Sequence, residues 1–389
     1  MSNYTKIINI IGTPAVGGVQ NGILGLSKYD KKFKINRSIV CLYPNYKEGK
    51  GVFIDNNKIK VYYCTTFFKT PILKPYFLWK KVRYLLGYIS FPFRFYFLVK
   101  KIKPNVIINE EPEMLLAQVV VCKLVSIPFI LHMHKELKFY KKYNFTKFIY
   151  KNTSFISDSK NTIKKNLGIV NPQIINKNKK IPIIPVTSPF DLNNSKSNKK
   201  KQTGNTISIG TIGRLVSEKN FEQIIEISRL VNDKTSLKYN IKIVGSGPLY
   251  DSLKKKIKMN NLENKIFLIG EISFKEINNF LSGLDIYIQT SISETGPVTV
   301  KEAMLCSLPV ISSSVGYVPD IIDDGMNGFI VPVNNSKYFS EVLINLMEMS
   351  NHNKSKIGSM AKKTIIQNFS IKIIAKKYFN FINDILTKA

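Results

Sequence analysis

Acidic residues are scarce in this chain: 26 Asp and Glu stand against 58 Lys and Arg in 389 residues, a formal charge of +32. Two readings follow. One is attraction to an anionic surface, lipid or nucleic acid, because a large single-sign field raises encounters with the opposite charge. The other is a solvated surface that happens to be rich in lysine. Arginine is scarcer still, confined to Arg37, Arg83, Arg94, Arg214 and Arg229, so an arginine at a strand end carries information that a lysine does not. The four cysteines, Cys41, Cys64, Cys122 and Cys306, have neither CxxC nor finger spacing, which speaks against a disulfide framework and a structural zinc finger and fits a reducing cytoplasm. Long apolar runs are missing too. Ile7 to Ile11 is followed by Gly12, Pro14 and Gly17-Gly18 where a signal peptide would stay apolar. Tyr84 to Val99 falls short of the roughly 18 apolar residues that suggest a span and is broken by Pro92 and Arg94. No transmembrane helix is expected. Asp-x-Asp, HExxH and any group of histidines and carboxylates at ligand spacing are also absent from the sequence. Such carboxylates would hold a divalent ion against a diphosphate, so no metal is expected.

What is present alternates. Strand-like runs at Lys6-Ile11, Ser38-Tyr43, Ile59-Cys64, Asn105-Asn109, Pro128-His132 and Ser154-Asp158 are separated by helix-length segments. A second series follows at Thr206-Ile212, Asn240-Val244, Lys265-Ile269, Asp285-Gln289 and Pro309-Ser312. The pattern implies an α/β chain with two doubly wound, Rossmann-like halves. A polar lysine-rich stretch divides them. The expected organisation is an N-terminal domain over 1–190, a linker over 191–205, a second domain over 206–369, and a C-terminal helix over 370–389 that could return to the first domain.

Ligands in such sheets bind beyond the carboxyl ends of strands, so the residues there are the candidates. After Thr206-Ile212 come Gly213, Arg214 and Leu215, then Lys219. A planar guanidinium and a point-charge ammonium at one strand end can converge on a diphosphate. After Asn240-Val244, Gly245-Ser246-Gly247-Pro248 leads into a helix; glycines there let a ligand approach, though such turns also occur for steric reasons alone. After Asp285-Gln289, Glu294 and Glu302 bracket Gly296, Pro297 and Val298. The backbone at a helix start can donate to a phosphate, and carboxylates can accept from sugar or ribose hydroxyls.

These motifs together resemble the retaining glycosyltransferases of family 4, the glycosyl transferases group 1, which have the GT-B fold: Gly213-Arg214-Leu215 with Lys219, the Gly-x-Gly-Pro turn, and the glutamate pair separated by seven residues, in order. Leu308-Pro309-Val310 and Gly316 to Gly328 extend the likeness. The resemblance implies two Rossmann-like domains facing across a cleft and a nucleotide-sugar co-substrate, UDP- or GDP-linked, with no cofactor. It assigns Arg214, Lys219, Gly296, Pro297 and Val298 to the donor diphosphate, Glu302 to the ribose, Glu294 to the transferred sugar, and Gly245 and Gly247 to the nucleotide loop. Gly17 and Gly18 resemble the family's glycine loop, and His134 its active-site histidine, with His132 as the alternative. Departures fall on the acceptor side: Lys135 stands where the family often has Asp, Ser188-Pro189-Phe190-Asp191 replaces its Asn-Gly-Val-Asp, and Asp320 replaces a common Glu.

From Phe67 to Lys103 aromatics and bases interleave, and Lys135 to Lys151 repeats the pattern. That mixture suits the headgroup region of an anionic bilayer, or a buried helix flanked by solvated lysines. Nucleic-acid binding finds no motif. The expectation is a cytoplasmic transferase at the inner face of the membrane, acting on a saccharide acceptor, lipid-linked, in surface-polysaccharide synthesis. The rivals are an epimerase or phosphorylase of the same architecture, and an inactive membrane-associated scaffold.

Overall fold

A strand buried on both faces reads as a near-continuous apolar run, and Thr5–Ile11 (TKIINII) does so: its last five residues are all buried. In the computed structural model, which describes residues 4–12, 18–42, 59–64, 76–134, 146–167, 181–185, 206–273, 275–294 and 296–388, that run is the first strand of a parallel sheet. The chain divides into two units, Met1–Pro189 with Ile371–Ala389, and Phe190–Ser370.

The first unit runs β1 (Thr5–Ile11), α1 (Gly18–Ser27), β2 (Ile35–Cys41), β3 (Lys60–Tyr63), α2 (Tyr76–Ile102), β4 (Val106–Asn109), α3 (Leu115–Leu124), β5 (Phe129–Met133), α4 (Thr146–Lys151), β6 (Ser154–Ser157) and α5 (Lys160–Leu167). Its six strands lie in the order β3-β2-β1-β4-β5-β6, every pair parallel. Ile8 and Ile10 pack on one face with Phe91, Phe95 and Val99 of α2. Pro92 lies inside α2, which continues through it to Ile102.

The second unit runs β7 (Ile207–Ile212), α6 (Glu222–Lys234), β8 (Tyr239–Val244), α7 (Tyr250–Met259), β9 (Ile266–Gly270), α8 (Ile277–Ser282), β10 (Ile286–Gln289), α9 (Val298–Leu305), β11 (Val310–Ser313), α10 (Val318–Ile321), β12 (Phe329–Val331), α11 (Ser336–Glu348) and α12 (Asn351–Asn368). Its sheet order is β12-β11-β10-β7-β8-β9, again all parallel. The last helix, α13 (Ile371–Leu386), belongs to the first unit, where Ile374, Tyr378, Phe379 and Ile382 pack with Ile7, Ile108 and Ile130 on the other face of the sheet.

Both units therefore have the Rossmann strand order. The chain reverses its direction of winding between β1 and β4 in one and between β7 and β10 in the other, and the carboxyl ends at such a switch point are where open α/β sheets bind ligands. Most strand ends fall within one or two residues of the sequence-based expectation, and two differences are larger. Strand β2 begins three residues earlier than Ser38, at Ile35, because it pairs with β1 from Thr5 onward. Strand β12, only three residues long, escapes periodicity analysis because it is too short to show a period and is defined by its pairing with β11. Among the described residues no helix is long and apolar enough to cross a membrane.

Candidate active site

In the second unit three loops lock together at the switch point. The turn after β7 is tied to the loop after β8: Gly213 N donates to Val244 O (2.9 Å), Leu215 N to Ser246 O (2.9 Å) and Leu249 N to Leu215 O (3.1 Å). This contact explains the two glycines. Gly245 has φ +145°, and a Cβ there would overlap Gly213 O; a Cβ on Gly247 would lie 2.5 Å from Leu215 O. The backbone that approaches Gly245 and Gly247 is thus the chain's own.

The same turn is tied to the loop after β10. Thr290 Oγ1 donates to Lys219 O (3.2 Å) and Asn220 O (3.0 Å), and Ile292 N donates to Glu218 O (2.9 Å). These bonds bring Lys219, on a 3-10 turn over Ser217–Lys219, to Glu294. Lys219 Nζ donates to Glu294 Oε1, and that oxygen also accepts from Gln289 Nε2 (3.0 Å) and Ser291 Oγ (2.9 Å). Gln289 is itself held by Ser312 Oγ, which donates to its Oε1 (3.3 Å). Arg214 on the β7 turn is exposed. Gln289, Ser291 and Ser312 had no distinguishing signal in the sequence, since they lie within or beside ordinary strand patterns.

Beyond Glu294 the chain reaches Gly296, where a Cβ would overlap the Tyr317 ring. That ring also lies 4.7 Å from Lys301 Nζ, measured to its centroid. Pro297 is buried and caps α9, which starts at Val298. Glu302 is only 3% exposed. Burial pushes the Cys306 thiol up to about 12 and raises Tyr287, and the Glu302 charge pushes both further.

In the first unit the switch-point strand ends carry a buried polar cluster. Glu110 follows β4, His132 lies in β5, His134 follows it, and Asp158 follows β6. His132 Nδ1 is 3.0 Å and His134 Nε2 2.8 Å from the same oxygen, Glu110 Oε2. The other ring nitrogens go to Asp158: His132 Nε2 to Oδ1 at 3.1 Å, His134 Nδ1 to Oδ2 at 2.7 Å. His132 Nε2 also meets Ile184 O at 3.0 Å, and Asn9 Nδ2 donates to Glu110 Oε1 (2.7 Å). Burial opposes charge on every member, but the facing partners prevail. They hold Glu110 down at about 2, keep Asp158 well below the usual carboxylate range, and raise both imidazoles, His134 to about 10.

Spacing along the sequence shows no histidine–carboxylate group, and the fold assembles one. Glu110, His132 and His134 bring ligand atoms within 4.8 Å of one another, because parallel strands set side by side residues that lie more than 20 positions apart in the chain. The structure places His134 at the strand end expected for it, 8% exposed and with both ring nitrogens engaged. Gly17 lies outside the described residues, and Gly18 opens α1. The 191–205 linker, Lys135 and residues 188–190 also lie outside the described residues.

Residues 193–364 match the family described as glycosyl transferases group 1. Over that stretch, less than half of its length, the chain is similar to this family. It is similar to the poly(ribitol-phosphate) alpha-N-acetylglucosaminyltransferase of Staphylococcus aureus, 29% identical over 45% of this chain and 35% of that protein. The first three curated relatives it matches are covered over only 35–45% of their own length. Among solved structures, a glycosyltransferase from Rickettsia africae superposes with a TM-score of 0.78 at 20% identity, covering 100% of both chains. Anabaena HepE in complex with UDP and glucose superposes with 0.74 at 17%, covering 98% of this chain and 100% of the other. At these identities the likeness establishes the fold, the two Rossmann-like units of the GT-B glycosyltransferases.

Proposed function

We propose that the chain is a retaining glycosyltransferase of this group, moving a sugar from a UDP- or GDP-sugar to a saccharide acceptor. The observation that carries the reading is the pairing of Lys219 with Glu294 at the switch point of the second unit, with exposed Arg214 on the same turn. Departure of a nucleoside diphosphate from the anomeric carbon builds negative charge on the diphosphate and positive charge on the sugar. Fixed cations stabilise the first and a carboxylate the second. Arg214 and Lys219 take the diphosphate with the backbone of Gly296, Pro297 and Val298 at the start of α9; Glu302 takes the ribose, and Glu294 the sugar. Gly245 and Gly247 shape the nucleotide loop through their contact with the β7 turn. On donor binding Lys219 exchanges its Glu294 partner for phosphate oxygen, which turns Glu294 toward the sugar. Two side-chain cations at the diphosphate replace the divalent ion that carboxylates would otherwise bring.

In the first unit, Gly18 and His134 are assigned to the acceptor and the sugar, as is Gly17, which lies outside the described residues. With both ring nitrogens engaged, His134 contributes packing rather than a hydrogen bond. The relative acting on poly(ribitol-phosphate) supports a polymeric or lipid-linked saccharide acceptor in surface-polysaccharide synthesis. Helix α2 supports work at the inner membrane face: Ile89, Phe93 and Phe97 form an exposed stripe at i, i+4 and i+8, and Arg94, Lys100 and Lys101 on the same helix are exposed too. Exposed apolar residues and cations on one helix suit an anionic bilayer. A donor-hydrolysis and thermal-shift screen of UDP-, GDP-, ADP- and TDP-sugars, without magnesium or manganese, tests the reading. One nucleotide class should stabilise the wild type and be hydrolysed slowly, and Arg214→Ala should lose both effects. Indifference to all of them would overturn the donor site.

A further inference from the structure

The chain has three histidines, and two of them, His132 and His134, sit in one buried cluster with two carboxylates. The hydrogen-bond pattern fixes part of its chemistry. Ile184 O and Asp158 Oδ1 can only accept, so His132 Nε2 must carry a proton. In the neutral imidazole the lone pair is then on Nδ1, which faces Glu110 Oε2 at 3.0 Å. His134 repeats the arrangement: Nδ1 faces Asp158 Oδ2, and Nε2 faces that same Glu110 oxygen at 2.8 Å. Were both rings neutral, three lone pairs would converge on one buried point, and lone pairs at these distances repel unless positive charge lies between them.

In the metal-free cluster protons supply that charge by making imidazolium of both rings, whose centroids are 4.1 Å apart, with Glu110 and Asp158 as counter-charges. A single divalent ion supplies it without that repulsion. We infer that Glu110, His132 and His134 form a site for one divalent transition-metal ion of the zinc class. The ion replaces the protons on His132 Nδ1 and His134 Nε2, so the cluster keeps its net charge: two neutral imidazoles, two carboxylates and one dication. Asp158 completes the pattern usual for such sites, in which each ligating imidazole donates its remote N–H to a carboxylate that fixes the tautomer. Here one carboxylate serves both rings. Ligand atoms around a four-coordinate zinc lie about 3.3 Å apart, so the observed 2.8 and 3.0 Å require an opening of only a few tenths of an ångström. Imidazole with carboxylate selects zinc and its neighbours over magnesium or calcium, which favour all-oxygen sets. Three protein ligands leave a fourth position for water or another oxygen. The ion would join the ends of β4 and β5 in the first unit, with Asp158 after β6 behind the two rings, and the inference does not depend on the transferase reading.

The test is direct metal binding by the untagged full-length chain, stripped with chelator and titrated with cobalt(II) and then zinc. The wild type should develop the visible bands of low-coordinate cobalt at one equivalent, lose them to one equivalent of zinc, and melt at higher temperature with zinc bound. His134→Gln and Glu110→Gln should abolish the bands, whereas His352→Gln, at the exposed third histidine in α12, should keep them. Asp158→Asn, which retains all three ligands, should weaken zinc binding about 10- to 100-fold. Folded wild type that shows neither cobalt bands nor a zinc-dependent rise in melting temperature overturns the site without reference to any variant. Bands that persist undiminished in His134→Gln overturn it as well.

Discussion

Lys219 donates to Glu294, and the two are 75 positions apart in the chain. The contact depends on the Thr290 hydroxyl and the Ile292 amide, which bind the β10 loop to the β7 turn. In the proposed reaction the lysine must leave this carboxylate for the donor, so the pair sets the cost of donor binding. Glu294→Gln should therefore tighten binding of the free nucleoside diphosphate by about threefold, the worth of a partly exposed ion pair. It should also lower transfer by about 100-fold, because a neutral amide no longer stabilises the charge developing on the sugar. Calorimetry against UDP and GDP, with a transfer assay, separates the two effects. Weaker nucleotide binding in the variant would contradict the exchange.

Gly245 is the position where an added methyl group has least room. At φ +145° its Cβ would overlap Gly213 O, so Gly245→Ala must push the β8 loop off the β7 turn that carries Arg214 and Lys219. A loss of about 2–3 kcal/mol in stability is expected from strain of this kind, along with weaker donor binding. Urea unfolding measures the first. An unchanged midpoint would mean that the two loops separate freely.

The two faces of α2 should respond differently to truncation. Phe91 and Phe95 are fully buried, while Phe93 and Phe97 are 67% and 68% exposed. Phe95→Ala should cost about 3–5 kcal/mol. The double change Phe93→Ser with Phe97→Ser should leave stability within about 0.5 kcal/mol yet reduce binding to phosphatidylglycerol vesicles several-fold. Vesicle co-sedimentation, with phosphatidylcholine as the neutral control, reads the difference, and equal sedimentation of wild type and double variant would remove α2 from membrane docking.

The cysteines should be chemically silent. All four are free and buried, and burial pushes Cys41, Cys64 and Cys306 up to about 12. The thiolate is the reactive form, so raising the pKa depletes it: at pH 8 about one thiol in ten thousand is ionised where the pKa is near 12, against about a quarter for an ordinary thiol. Iodoacetamide at pH 8 should label the native chain very slowly and the denatured chain at all four positions, as mass spectrometry would record. Rapid native labelling would mean that one of these elements opens readily.

Much of the architecture was legible in the chain itself. A parallel strand covered on both faces must be apolar along its whole length, so runs such as Ile7 to Ile11 and Ile207 to Ile212 announce themselves, and their alternation with helix-length segments identifies two doubly wound sheets. Residues placed after those strands, Arg214, Lys219 and Glu294, were candidates by position, a rare arginine at a strand end carried its own weight, and His134, with His132 as the alternative, came from the family resemblance. Strand order was not legible, because side-chain periodicity is blind to which strands are neighbours. Only the pairing of β1 with β4 and of β7 with β10 located the switch points. Tertiary structure alone showed that Gln289 and Ser291 hold Glu294, that Gly245 and Gly247 are shaped by the chain's own backbone, and that Glu110, His132, His134 and Asp158 close into one cluster. Local sequence determines what each strand end offers. Which ends meet is decided by hydrogen bonding between strands far apart in the chain, and the chemistry of each site depends on that meeting.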